Sequence, residues 1–174
     1  MTTRAAFWLL PVATARALFQ DIIHDLAQTY EAPIFEPHVT LYAGTYTPDE
    51  RLDSILAQAA CGVGPVSLQV DTVLYTEAFT KTLFVQFRPS PQLRQLSERI
   101  RAYASQPCEY RLDPHLSLMY RQMPEAEKRR IAASIQVPLA VVTFDELCVT
   151  VTPTPTRSAQ DVARWDIRWR QKLL

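Results

Sequence analysis

The strongest constraint on this chain is that it writes one short pattern twice. Residues 37–42 read PHVTLY and residues 114–120 read PHLSLMY, so Pro-His-apolar-hydroxyl-Leu recurs 77 positions on. The repeat extends upstream of the motifs. Phe7 opens an apolar, strand-like run and His38 follows 31 residues later; Phe84 opens another and His115 follows 31 residues later. Helical spacing fills the gaps, with Leu18, Phe19, Ile22, Ile23 and Leu26 on one face in the first half. Leu93, Leu96, Ile100 and Tyr103 form the matching face in the second. Thr47-Pro48-Asp49-Glu50 predicts a further helix start with Thr47 as N-cap, and Gly62 and Gly64 predict its end. PEAEKRRIAASI is its counterpart. The order reads β-α-β(His)-α-β-β twice, over roughly 5–80 and 81–174 of a single domain. That order predicts an α+β fold of two pseudo-symmetric lobes. Two equivalent halves put their matching faces against a shared cleft, where the two histidines would meet.

Alternation along a strand says which side chains work together. Residues i and i+2 share a face, so His38 stands beside Thr40, backed by Val39 and Leu41. His115 stands beside Ser117 in the same way, backed by Leu116 and Leu118. Two imidazole–hydroxyl pairs facing one cleft suit a phosphodiester. One neutral imidazole takes a proton from water and the other, protonated, gives one to the leaving oxygen. The hydroxyls hydrogen-bond the non-bridging oxygens, where charge concentrates in the transition state. The third histidine, His24, falls on the polar side of the first helix and reads as a surface residue.

Composition narrows the partners. Lys+Arg and Asp+Glu both number 18, which leaves no global field to hold duplex nucleic acid. The longest apolar run, AAFWLLPVA, is too short for a bilayer, and MTTR leads into it without a signal-peptide pattern. Cys61, Cys108 and Cys148 are scattered without metal-ligand spacing, so reduced thiols in a cytoplasmic protein are expected. A disulfide between two of them stays open, and sequence does not select the pair.

PHVTL and PHLSLMY resemble the paired His-x-Thr/Ser motifs that give the 2H phosphoesterase superfamily its name. Within it the chain resembles the small cyclic phosphodiesterases of plants, fungi and cyanobacteria; FWLLP and ARWDI also look like that family's equivalents, so the likeness spans nearly the whole chain. The resemblance implies a LigT-like α+β fold, each lobe a mostly antiparallel sheet with helices outside and a central cleft between the two, with no metal, no cofactor and a monomer acting on a small cyclic phosphate. It implies hydrolysis of ADP-ribose 1″,2″-cyclic phosphate to ADP-ribose 1″-phosphate, and opening of nucleoside 2′,3′-cyclic phosphates to 2′-phosphates. His38 and His115 would be catalytic, Thr40 and Ser117 would bind phosphate, and Trp8 and Tyr120 would line the cleft. An RNA-end phosphodiesterase, acting on 2′,3′-cyclic ends or 2′-5′ linkages, is the neighbouring alternative, and the balanced charge weighs against a long strand. A binding module without catalysis is a third, against which both intact motifs speak.

Some positions stay two-sided at this level. Tyr120 lies five residues after His115, which regular alternation points away from it. Either the strand bulges after Ser117, or Tyr120 is core and Met119 faces the cleft. Tyr42 shares the parity of His38 and is a cleft candidate or a buried-edge tyrosine. Trp8 is cleft or core. Lys81, Arg121, Arg129 and Arg130 could approach phosphate or stay solvated, and TPTPTR reads as a loop at the cleft rim.

Overall fold

The computed structural model of the chain describes residues 2–104 and 110–174. The first half runs β1 (Thr2–Pro11), α1 (Ala13–Tyr30), β2 (Val39–Thr45), α2 (Leu52–Ala60) and β3 (Val66–Tyr75). The second runs β4 (Leu83–Phe87), α3 (Pro91–Tyr103), β5 (His115–Met119), α4 (Glu125–Ser134) and β6 (Val141–Thr154), then α5 (Ala159–Val162) and β7 (Asp166–Lys172). The repeat is therefore β-α-β-α-β. The first half has one strand fewer than the sequence pattern predicts, because Leu83–Phe87 opens the second half. VVTFDELCVTVTPT forms one continuous strand, β6.

Among the described helices α3 and α5 begin on a side-chain cap, and α1, α2 and α4 do not. Ser90 caps α3, its side chain accepting from the backbone N–H of Leu93, with Pro91 at the first position. α2 starts at Leu52 rather than after Thr47: Glu50 N–H donates to the Thr47 carbonyl at 3.0 Å, closing a tight turn first. Tyr103, expected on the buried face of α3, is 47% exposed. No helix among the described residues is long and apolar enough to cross a membrane.

All strand pairs are antiparallel, in the order β1-β2-β5-β4-β3-β6-β7, and an added β1–β6 pairing closes six of them into a ring. The third strands are exchanged. β3, from the first half, pairs with β4 of the second; β6, from the second, pairs with β1 of the first. One lobe is thus β2-β1-β6-β7 and the other β5-β4-β3 with the start of β6, so a boundary near residue 80 divides the repeats in sequence but not the lobes in space. Phe7, Leu9, Phe19, Val39, Leu116 and Phe144 lie in the core beneath the sheet, each almost fully buried. Burial of one such side chain is worth about 1.5–3 kcal/mol.

Both histidine strands bulge at the same point. Phe7 opposes Tyr42 and Trp8 opposes Thr40, so Leu41 is the extra residue of β2. Leu83 opposes Met119 and Phe84 opposes Ser117, so Leu118 is the extra residue of β5. A bulge reverses the inside-outside alternation beyond it. The residue matching Phe84 across the repeat is therefore Trp8, since each opposes a motif hydroxyl, and the apparent Phe7–Phe84 match is one residue out.

Candidate active site

The two motifs meet as neighbouring strands. β2 and β5 pair antiparallel through Val39 and Leu116, both fully buried. Continued one step each way, that register sets His38 across from Ser117 and Thr40 across from His115. The four side chains make a square on the cleft face, with the imidazoles on one diagonal and the hydroxyls on the other. Diagonal neighbours in such a pair lie roughly 7–8 Å apart, room for a phosphodiester between their side chains.

Each ring is held by the carbonyl two residues earlier. His38 Nδ1 lies 2.6 Å from the Glu36 carbonyl, and His115 Nδ1 lies 2.8 Å from that of Asp113. A carbonyl only accepts, so Nδ1 carries the hydrogen in both and Nε2 is left for the substrate. Pro37 and Pro114 fix the chain between.

The surroundings of the rings differ. Trp8 stacks on His38 with centroids 3.8 Å apart at 14°. Trp165 (6.0 Å) and Phe35 (6.4 Å) meet His38 edge-on. This cover pushes the His38 pKa down to about 4, through burial first, opposed by the Glu36 carbonyl and reinforced by the nearby His115. Phe84 meets His115 edge-on at 5.4 Å, and the Asp113 carboxylate lies 3.6 Å from its Nδ1. Lys81 pairs with Asp113, and its ammonium sits over the Phe84 ring. Burial lowers the His115 pKa, and the Lys81 charge adds to this; the Asp113 carbonyl and carboxylate work against it.

Around the square, the cleft encloses about 360 Å³, near the lower end for small-molecule sites. Trp8, His38, Thr40, His115, Ser117 and Tyr120 all line it. The bulge at Leu118 turns Tyr120 to this side and sends Met119 into the core. Tyr120 stacks on Phe35 at 3.9 Å, and its burial raises the phenol pKa. The matching bulge overturns the cleft assignment of Tyr42. Past Leu41 the parity flips, so Ala43 faces the cleft, while Tyr42 packs in the core against Phe7 at 6.1 Å. A Cβ on Gly44 would lie 2.6 Å from the Tyr42 hydroxyl, which explains the glycine there.

The hydroxyls are also unequal. Ser117 Oγ donates to the Thr80 carbonyl at 3.0 Å, whereas the Thr40 hydroxyl has no protein partner among the described residues. Lys81 stands behind His115 and is not part of the lining. Arg121 pairs with Glu31, Arg129 with Glu125 and Arg130 with Glu127, all away from the cleft. Cys148 is buried and Cys61 exposed, both free, and Cys108 lies outside the described residues. No group of three or more His, Cys, Asp or Glu side chains that could hold a metal occurs among the described residues.

Sequence reasoning missed Arg4, Thr80 and Tyr110 and gave no role to Trp165 within ARWDI; all four line the cleft, as does Thr152 at the start of TPTPTR. Arg4 was findable, since it shares strand parity with Trp8. Trp165 had only the ARWDI resemblance to mark it, because the short helix α5, capped by Ser158, brings it in from just before β7.

A model of the 2′-5′ RNA ligase superfamily matches residues 10–154. The chain belongs to that superfamily, the 2H phosphoesterases. It is 25% identical over 122 residues to the cyclic phosphodiesterase of Arabidopsis thaliana, covering 70% of this chain and 67% of that one. Escherichia coli LigT, crystallised with 3′-AMP, superposes with a TM-score of 0.62 at 18% identity over 99% of both chains. A Thermus thermophilus protein superposes with 0.64 at 14% identity over 98% of this chain and 97% of that one. The protein is a phosphodiesterase of the cyclic phosphodiesterase type with the LigT fold.

Proposed function

We propose that this 2H phosphoesterase opens small cyclic phosphodiesters without a metal, with ADP-ribose 1″,2″-cyclic phosphate and nucleoside 2′,3′-cyclic phosphates as its substrate class. The square of two imidazoles and two hydroxyls carries this reading. His38 acts as base: its covered ring is neutral at pH 7, with the Nε2 lone pair free to take a proton from water. The water oxygen bonds to phosphorus and the bond to the leaving oxygen breaks, O3′ for a 2′,3′-cyclic nucleotide. His115 Nε2 gives that oxygen its proton. Thr40 and Ser117 donate to the non-bridging oxygens, Ser117 after exchanging the Thr80 carbonyl for phosphate.

The two roles follow from the neighbours. The Asp113 carboxylate supports an imidazolium at His115, and a bound phosphate anion adds to that support. His38 has no carboxylate beside it, because Glu36 is engaged by Arg16 and Arg170. The small volume of the cleft supports a small substrate over a long RNA strand.

The test is a phosphorus NMR assay against a panel of cyclic phosphates in excess EDTA. The expected products are the 2′-phosphate and ADP-ribose 1″-phosphate at undiminished rate. Loss of activity in EDTA, or turnover of none of the panel, would sink the proposal.

A further inference from the structure

The cleft extends beyond the catalytic square, along the strands, to a cation. On its floor, β1 contributes Trp8, Ala6 and Arg4 in succession, all on one face. Each heads a cross-strand rung: Trp8 between Thr40 and Cys148, Ala6 between Ala43 and Thr150, Arg4 between Thr45 and Thr152. The middle rung is small, so the floor is a trough rather than a wall. The first rung belongs to the phosphodiester centre. The third holds Arg4, with Thr152, Pro153 and Thr154 along the same edge.

Arg4 differs from the other arginines described above. Arg16, Arg121, Arg129, Arg130 and Arg170 each pair with a carboxylate. Arg4 has no such partner among the described residues, and no carboxylate lines the cleft. An unpaired guanidinium at the end of a trough whose other end handles phosphate matches a second phosphate, which it can hold bidentately. The first and third rungs are about 13 Å apart along the backbone. An Arg4 side chain reaching along the trough would narrow that gap toward the length of one phosphorylated ribose.

We propose that Arg4 is a specificity residue that binds a second phosphate, attached through the 5′ oxygen of the ribose bearing the cyclic phosphate. This rests on the cyclic phosphodiesterase reading above. The same chemistry has two sources: the pyrophosphate of an ADP-ribose type substrate, or the next phosphodiester of an RNA end.

The experiment compares full-length wild type and Arg4→Gln on adenosine 2′,3′-cyclic phosphate and its 5′-phosphorylated form. ADP-ribose 1″,2″-cyclic phosphate and a dinucleotide ending in a cyclic phosphate extend the series. Arg4→Gln should lower kcat/KM about 10- to 100-fold on substrates with the second phosphate, mainly through KM. It should stay within about twofold on the 5′-hydroxyl substrate, and Arg4→Lys should recover part of the loss. A loss on the pyrophosphate or on the dinucleotide upholds the subsite and names its source. Equal effects on 5′-hydroxyl and 5′-phosphate substrates overturn it. Calorimetry with adenosine 2′-phosphate and its 5′-phosphorylated form reads the same contrast without turnover. An inactive wild type would therefore defeat the catalytic reading while Arg4 was still decided.

Discussion

The two halves of the site share a backbone and differ in what surrounds it. Each reads acidic residue, proline, histidine; each clamps Nδ1 with the carbonyl of the acidic residue; each bulges three residues after its histidine. The side chains of the two acidic residues then part ways. Asp113 turns to His115, Lys81 and Gln86. Glu36 turns to Arg170 at 2.6 Å and to Arg16 at 3.5 Å, which also bind Glu146. Repetition of the backbone positions two alike groups, and the proposed division into base and acid rests on the divergence of their neighbours.

The largest expected effects test the likeness. His38→Ala and His115→Ala should each reduce kcat by about 10²–10⁴-fold, the usual worth of a general acid or base. A large asymmetry in single-turnover assays would mean that one half works without the other. Thr40→Val should cost about 10²-fold as a lost transition-state donor. Ser117→Ala should cost less, because its donor must first leave the Thr80 carbonyl.

Next comes the contrast in protonation. His38 in the folded chain is held near 4, against an ordinary 6.5. Above 6.5 both folded and unfolded chains hold it neutral, and the effect is nil. As pH falls from 6.5 to 4, the unfolded chain takes a proton that the folded one refuses. Stability should drop across that window by roughly 3 kcal/mol. Denaturant melts should show this slope in wild type and lose it in His38→Gln. Trp8→Leu, which uncovers the ring, should raise the NMR-detected pKa of His38 and leave that of His115 in place.

The smallest effects separate the two carboxylates. Asp113→Asn removes a charge that favours the His115 imidazolium, so the alkaline limb of kcat/KM should move to lower pH. Glu36→Gln should leave that limb where it is and lower stability by about 1 kcal/mol, as expected for one member of a half-buried ion network. If both variants shift the pH profile alike, the division of roles fails.

Much of this site was legible because a motif at period two specifies a face. His38, Thr40, His115 and Ser117 all come from that rule and the repeat. The same rule misread Tyr42, since a bulge is written in the pairing of two strands and not in either one. Tyr120 needed the bulge to reach the cleft, and sequence could pose that choice without deciding it. The unequal fates of Glu36 and Asp113 were invisible for a related reason. Their partners, Arg170 and Lys81, lie 134 and 32 residues away. Arg4 precedes the apolar run that marks its strand, so hydrophobic pattern alone does not tie it to the cleft.

The exchange of third strands carries a consequence for how the chain comes together. Neither half holds a complete sheet, for β3 has no partner in its own half and β6 pairs there only with β7. The repeats are therefore not modules that fold in turn. A ribosome must release most of β6 before β1 finds its second neighbour, and until then one edge of the first strand is open to foreign strands. Closure of the ring is a late, long-range event that favours slow folding. Once closed, the two lobes share β6 on one side and the Val39–Leu116 pairing on the other, so prising the cleft open would mean breaking sheet hydrogen bonds.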